Sequence, residues 1–362
     1  MMRNSSIFSK YLSDEAMLAI VSDEIFIQKM LQFETALAFA QAKLDMIPHE
    51  AAAEINHELN QIKIAPEDLA EGTVKNGVPV LSLLSIVKEK LSSASKQYLH
   101  FGATSQDVMD TAQVIIMKDA MILLEERLNT FIYHLTQLIN QFGNTPCMSR
   151  TRGQLAIPIT FGIKIKAWLQ PLQRQMQRLP EIKKRLLVVQ LGGAAGTLSA
   201  YEDKAEALVK ELAETLQLQS STQWHTQRDD LCEFTNWLAM LTGTLGKMGA
   251  DILVMSQSEI NEVIENTDGG KSSAMPHKNN PVLSEALIAL ARINANLQSQ
   301  QLQSLVHVNE RDATAWILEW DTIPQMLINS GTALNHAIAI TANMKVNTAN
   351  MKRNVERFLF KE

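Results

Sequence analysis

The fold is decided by residues 231–255, which read LCEFTNWLAMLTGTLGKMGADILVM. Apolar residues recur through this stretch at alternating intervals of three and four, at Leu231, Phe234, Leu238, Leu241, Leu245, Met248, Ile252 and Met255. This alternation places all of these side chains on one side of a helix, as in coiled coils and long helical bundles. The stretch therefore predicts a long helix whose apolar stripe packs against other helices.

Three glycines, Gly243, Gly246 and Gly249, lie on another face of the same predicted helix. A glycine inside a helix costs about 1 kcal/mol relative to alanine. We therefore expect these positions to allow a neighbouring helix to approach closely.

Similar patterns predict further helices, whereas strand patterns are hard to find. The predicted helices cover residues 23–45, 106–142, a stretch from near 158 to before 180, and 283–297. The sequence thus predicts an all-α protein built as a long-helix bundle. We divide it into an N-terminal helical domain (1–105), a central bundle (106–345) and the start of a truncated C-terminal domain (346–362).

Composition limits the partners of this chain. Its 362 residues are 46% apolar and 20% charged, which is ordinary for a globular protein. The formal net charge of −6 argues against nucleic acid and requires a local cationic pocket for any anionic substrate. We expect no membrane span, no signal peptide and a cytoplasmic location, with Cys147 and Cys232 as reduced thiols outside any metal site.

Apolar stripes on several long helices also predict self-association. One thin chain has little surface with which to cover them, so partner subunits are the expected cover. The alternative is a monomeric helical bundle.

Three polar segments interrupt the helices and carry the candidate chemistry. The first is HFGATSQD (100–107), where Thr104 and Ser105 suit a helix N-terminus that also binds carboxylates. The second is SRTRGQLAIP (149–158), where paired arginines ahead of a helix form a carboxylate fork or a solvated surface. The third is GGKSSAMPHKNNP (269–281), which groups hydroxyl, ammonium and amide groups suited to stabilising an anion.

The third segment resembles the signature of the fumarase/aspartase superfamily, Gly-Ser-x-x-Met-x-x-Lys-x-Asn. Ser272, Met275, Lys278 and Asn280 occupy its fixed places, whereas Lys271 stands where the pattern has glycine. The first two segments resemble the other shared regions of the family in order and spacing. The resemblance covers nearly the whole chain.

The resemblance implies a function for each matching residue. Ser272 is expected to be the base that takes a proton from the carbon beside a carboxylate, with Ser273 as the alternative base. Lys278 and Asn280 are expected to bind substrate and steady the carbanion. The other expected substrate contacts are His100, Thr104, Ser105, Arg152, Gln154, Arg228, Ser273 and Met275. The resemblance further implies a homotetramer whose sites are each shared by three chains, with no cofactor and no metal.

Arg152 selects among the reactions of the family. Members that release amines or water usually carry histidine at this place, as the general acid. A guanidinium cannot give up a proton at neutral pH, whereas a carboxylate leaving group needs none. This favours the cycloisomerase branch, which acts on a carboxylated muconate in aromatic catabolism. We expect Arg152 to bind one carboxylate of a small tricarboxylate and to pair with Glu285.

Two alternatives remain. Adenylosuccinate lyase resembles this chain in the first segment and in a run similar to Glu310-Arg311-Asp312, so it is the alternative within the family. The family usually continues with a C-terminal domain where this chain ends, so an inactive helical scaffold is the other alternative.

Overall fold

A computed structural model describes residues 7–265, 269–275 and 278–359. Its first part consists of short helices around one long one. These are α1 (Ser9–Leu12), α2 (Glu15–Ile20), α3 (Asp23–Lys43), α4 (His49–Gln61), α5 (Pro66–Asn76) and α6 (Val80–Lys90).

Long helices form the rest of the chain. They are α7 (Ser105–Phe142), α8 (Phe161–Leu186), α9 (Ala205–Leu216), α10 (Asp229–Met255), α11 (Val282–Gln303), α12 (Ala313–Asn343) and α13 (Thr348–Leu359), with a 3₁₀ helix at Ser199–Lys204. The predicted all-α bundle is confirmed. Its central helices α7, α8, α10, α11 and α12 pack side by side.

Two small antiparallel strand pairs were not predicted. Strands β1 (Pro146–Thr151) and β2 (Gln154–Thr160) form a hairpin between α7 and α8, and β3 (Val263–Ile264) pairs with β4 (Lys345–Val346). The helix predicted from near Pro158 is present, but the prediction that it ends before Pro180 was wrong. Helix α8 begins at Phe161 and continues through Pro180, because packing of its buried face outweighs the local cost of proline.

The apolar stripe of α10 is buried within the chain. All eight of its residues are at most 3% exposed, and α10 packs against α8, α11 and α12. The expectation that this stripe needs partner subunits was therefore wrong, because helices of the same chain cover it. Among the described helices α10 alone is long and apolar enough to cross a membrane, and half of its most apolar window is buried against other parts of the fold.

The glycines of α10 face different surroundings. A Cβ atom added to Gly246 would lie 2.6 Å from the Cβ of Ala291, and one added to Gly249 would lie 2.6 Å from the carbonyl oxygen of Ser284. The predicted close approach of another helix is thus confirmed at these two positions, where the neighbour is α11. At Gly243 an added Cβ meets no atom of the described chain within 4 Å.

The central helices define two ends of the bundle. At one end Arg228 joins the starts of α7, α10 and α12, and we call it the Arg228 end. At the other end the hairpin, β3 and the start of α11 lie close together, since Glu262 faces Arg150 and Glu265 binds the amide of Leu283. We call this the hairpin end. The 22 residues of α11 run from one end to the other and span roughly 33 Å at 1.5 Å per residue.

Alanine substitutions should separate these glycines. Gly249→Ala should destabilise the fold by about 1–3 kcal/mol, because its methyl group overlaps the backbone of α11. Gly243→Ala is the matched control and should stabilise by up to about 1 kcal/mol through helix propensity alone. Urea unfolding of both variants measures the difference, and equal effects would contradict the packing described here.

Candidate active site

The first polar segment forms a corner at the Arg228 end. Thr104 caps α7, and its backbone N–H donates to the Oδ2 atom of Asp107 at 3.0 Å, while Ser105 is the first residue of the helix. The Thr104 hydroxyl accepts a hydrogen bond from the Arg311 guanidinium. The Thr104 hydroxyl, the start of α7 and an exposed cation thus lie together, which suits an anionic group.

The buried side chain of Asp107 holds the backbone of this corner in place. Its buried carboxylate accepts hydrogen bonds from the backbone N–H groups of Gly192 (2.9 Å) and Gly193 (3.0 Å) and contacts the Nε2 atom of His225 at 2.7 Å. A Cβ atom at Gly193 would lie 3.0 Å from the carbonyl oxygen of Gly102, and the φ of Gly193 is 69°. Glycine is therefore required there, both for its backbone conformation and for the close approach.

His100 stands beside this corner in a left-handed backbone conformation, with φ of 63°. Its Nδ1 atom donates to the Oε1 atom of Glu34, whose carboxylate is buried, at 2.6 Å. Burial lowers the pKa of His100, but attraction to Glu34 and the hydrogen bond outweigh burial and raise the pKa above its ordinary value. The pair therefore favours a cationic imidazole suited to binding a carboxylate.

Arg228 does not lie in a substrate pocket, and its prediction as a substrate contact was wrong. Its guanidinium is buried and makes bidentate hydrogen bonds to Asp110 and to Glu319, with the Trp224 ring 4.8 Å away. Two carboxylates take four of its five N–H donors, and the residue is only 2% exposed, so a third carboxylate cannot reach it. Arg228 instead ties three helices together.

Arg311 is a candidate site residue that the sequence alone did not single out. The Glu310-Arg311-Asp312 run was used only to weigh two relatives against each other. Asp312 caps α12 by accepting from the Thr314 N–H at 2.8 Å, and this fixes the turn from which Arg311 reaches Thr104. A charged residue just before a helix cap was the available signal.

The second segment is the β1–β2 hairpin rather than a loop before a helix. Arg152 (φ 51°) and Gly153 (φ 82°) form its two-residue tip, a conformation typical of tight hairpin turns. Within the described chain Arg152 and Gln154 are exposed and make no side-chain hydrogen bond or ion pair, so the predicted pairing with Glu285 is not made within one chain. Arg150 instead points to the buried Glu262, 3.8 Å away.

The signature segment is closed at its base by backbone contacts. Asn280 donates its N–H to the Gly270 carbonyl oxygen at 2.8 Å, and Lys271 bridges to Asn279. The Ser272 hydroxyl oxygen accepts from the N–H groups of Ala274 (3.3 Å) and Met275 (3.1 Å). The side chains of Ser273, Met275 and Lys278 are exposed, and His277 lies outside the described residues.

The structure therefore brings some predicted residues together and leaves others apart. His100, Thr104 and Ser105 share the Arg228 end with Arg311. Arg152, Gln154 and the signature segment lie at the hairpin end, a helix length of roughly 33 Å away. These two groups do not meet within one chain.

The described residues contain no cluster of His, Cys, Asp or Glu side chains able to hold a metal ion. Both cysteines are unpaired and buried, as predicted. Burial raises the pKa of the Cys147 thiol to about 11, which makes that thiol unreactive at neutral pH.

These features define the class of the protein. Residues 10–293 match the family model described as "Lyase", and the chain belongs to this family, the fumarase/aspartase superfamily. It is an enzyme with the all-α long-helix fold of that superfamily.

The relatives narrow the class further. The chain is 37% identical to the 3-carboxy-cis,cis-muconate cycloisomerase of Pseudomonas aeruginosa, over 97% of this chain and 78% of that protein. It is similar to the crystal structure of the 3-carboxy-cis,cis-muconate lactonizing enzyme from Pseudomonas putida, with a TM-score of 0.92 and 37% identity over 97% of this chain and 80% of the other. An adenylosuccinate lyase of Methanocaldococcus jannaschii is 34% identical over 94% of this chain and 75% of that protein.

The His100–Glu34 pair makes a prediction about pH. Glu34→Gln removes the charge and leaves burial, so the pKa of His100 should fall below its ordinary value of 6.5. Histidine NMR titration measures this, with His49 and His57 as internal controls.

The His100–Glu34 pair should also contribute to the free energy of unfolding in a pH-dependent way. A raised folded-state pKa stabilises the fold below the unfolded value and loses that contribution as pH rises through the folded value. The stability gap between the parent and Glu34→Gln should thus be wider at pH 6 than at pH 9. A gap that widens with pH would refute the pairing.

Proposed function

We propose that this chain interconverts 3-carboxy-cis,cis-muconate and its lactone. The cycloisomerases among its relatives support the substrate. The observation that carries the choice of reaction is Arg152, exposed and unpaired among the described residues at the tip of the hairpin. That tip offers a carboxylate fork and no group able to release a proton at neutral pH.

The reaction needs proton transfer at carbon only. In the opening direction a base removes the proton from the carbon beside a carboxylate. The ring C–O bond then breaks and its electron pair goes to the departing carboxylate oxygen. A carboxylate with a pKa of about 4 leaves without protonation, whereas an amine does not. Closure reverses these steps, and neither direction requires a cofactor.

Ser272 is the proposed base. Its Oγ atom already accepts two backbone N–H groups, and hydrogen bonds to a charged form favour that form. The arrangement supports a serine oxygen that carries negative charge during proton transfer. Lys278 and Asn280, at the base of the same segment, are proposed to stabilise the carbanion. Ser273, the exposed neighbour, is the alternative base.

The remaining carboxylates of the substrate need cations from the other groups. His100, Thr104 and Ser105 are proposed to bind one carboxylate at the Arg228 end, with Arg311 beside them. Arg152 is proposed to bind another, with Gln154 and Met275 lining the pocket. Since these groups lie at opposite ends of the bundle, we propose a homotetramer in which three chains complete each site.

An ultraviolet assay tests the reaction directly. The purified protein should consume the conjugated diene of 3-carboxymuconate and leave adenylosuccinate unchanged. Ser272→Ala should lower kcat by roughly two to four orders of magnitude, because proton transfer loses its base. Ser273→Ala tests the alternative base and should lower kcat less than Ser272→Ala does. Cleavage of adenylosuccinate alone would favour the lyase alternative, and a larger loss in Ser273→Ala than in Ser272→Ala would move the base to Ser273.

Mixing two inactive variants tests the shared site. His100→Asn, which keeps a residue tolerant of positive φ, disables the Arg228 end, and Ser272→Ala disables the hairpin end. Co-refolded in equal amounts, they should recover about a quarter of the parental activity, because some sites then receive both intact segments. No recovery, although a tag placed on one variant co-purifies the other, would mean that each site lies within one chain.

A further inference from the structure

The start of α11, directly after the signature segment, is hydrogen-bonded to α1 through one side chain. The hydroxyl of Tyr11 in α1 donates to the carbonyl oxygen of Val282 at 2.5 Å. Val282 is the first residue of α11 and follows the signature segment by one residue. This hydrogen bond joins residues that are 271 positions apart.

Tyr11 is itself held by α12. The Nε2 atom of His336 donates to the Tyr11 carbonyl oxygen at 2.8 Å, because a carbonyl can only accept. The two rings also lie 5.8 Å apart at an angle of 34°. Burial lowers the pKa of His336, with smaller opposing effects from the hydrogen bond to Tyr11 and from Glu265, so the imidazole remains neutral at neutral pH. We call the row His336–Tyr11–Val282 the N-terminal latch.

The other contacts at the base of the segment are local. Glu265 accepts hydrogen bonds from the N–H groups of Leu283 and Ser284, and Asn280 binds Gly270. These contacts fix the shape of the segment base and the first turn of α11. The N-terminal latch adds a connection from that turn to a distant helix of the bundle, α12. Burial raises the pKa of Tyr11, as do Glu285 and Glu265, so its hydroxyl stays a donor at neutral pH.

We infer that Tyr11 is a positioning residue for the signature segment. By holding Val282 against α12, it sets where Lys278 and Asn280 stand relative to the bundle. Its catalytic meaning rests on the function proposed above, whereas its mechanical role does not. A displacement of 1 Å at such groups is enough to slow a reaction without weakening binding in proportion.

Tyr11→Phe tests this inference because it removes the hydroxyl and keeps the ring. Amide hydrogen exchange at residues 280, 283 and 284 should become about fivefold faster, as expected for the loss of one hydrogen bond. On 3-carboxymuconate kcat should fall about fivefold to tenfold with KM nearly unchanged. The matched control is Tyr133→Phe on α7, whose ring is exposed and far from the segment in sequence; it should change neither quantity.

Variants of His336 test the second hydrogen bond of the N-terminal latch, the one that His336 donates to Tyr11. His336→Leu removes the donor to Tyr11 and should reproduce the faster exchange, whereas His336→Gln keeps a donor and should restore the slower exchange. Unchanged exchange at 280–284 in Tyr11→Phe would overturn the latch, and so would an increase spread evenly over the whole chain. Faster exchange with unchanged kcat would overturn the positioning role. Exchange needs no substrate, so a failed assay on 3-carboxymuconate leaves the latch tested.

Discussion

The bundle depends on one buried cation. Arg228 lies at the start of α10 and binds Asp110 of α7 and Glu319 of α12, while the Trp316 indole donates to Asp110 at 2.9 Å. Removing one partner from such a cluster leaves a buried charge unpaired and lowers the free energy of unfolding by about 3–5 kcal/mol. Because the paired groups stand at fixed positions along their helices, the cluster also fixes how the helices align. Sliding one helix by a turn would leave a charge alone in the core.

This alignment has consequences for the chemistry. The starts of α7 and α12 are brought level, which places Thr104 and Arg311 within hydrogen-bonding distance. The same alignment puts the start of α11 at the far end, beside the hairpin. The separation of the cationic corner from the segment proposed to transfer the proton is a direct result of the length of these helices. Association of chains is then a condition of the proposed catalysis, although it is not needed to cover the core.

Much of the fold could be predicted from the sequence, because helix periodicity is a local property. The stripe of α10 and the close approach at Gly246 and Gly249 follow from spacing alone. Which chain covers this stripe could not be predicted, since periodicity shows that a face is buried but not what buries it. The hairpin was missed because its exposed apolar residues, such as Leu155 and Ile157, are too few to form a recognisable alternation. The structural role of Arg228 could not be predicted either, because its carboxylate partners lie 118 and 91 residues away in sequence and no local pattern reveals them.

The tip of the hairpin shows how such an enzyme is able to change its chemistry over evolutionary time. Arg152 lies in a turn that requires a left-handed backbone conformation. Its side chain makes no hydrogen bond or ion pair with a described neighbour, so the fold does not constrain the type of side chain there. Histidine and asparagine adopt that conformation more readily than most residues. Replacement there by either residue should therefore change the folding free energy little. Since Arg152 is the residue proposed to decide between reaction types, single substitutions at this tip would let the scaffold pass between them with the fold intact.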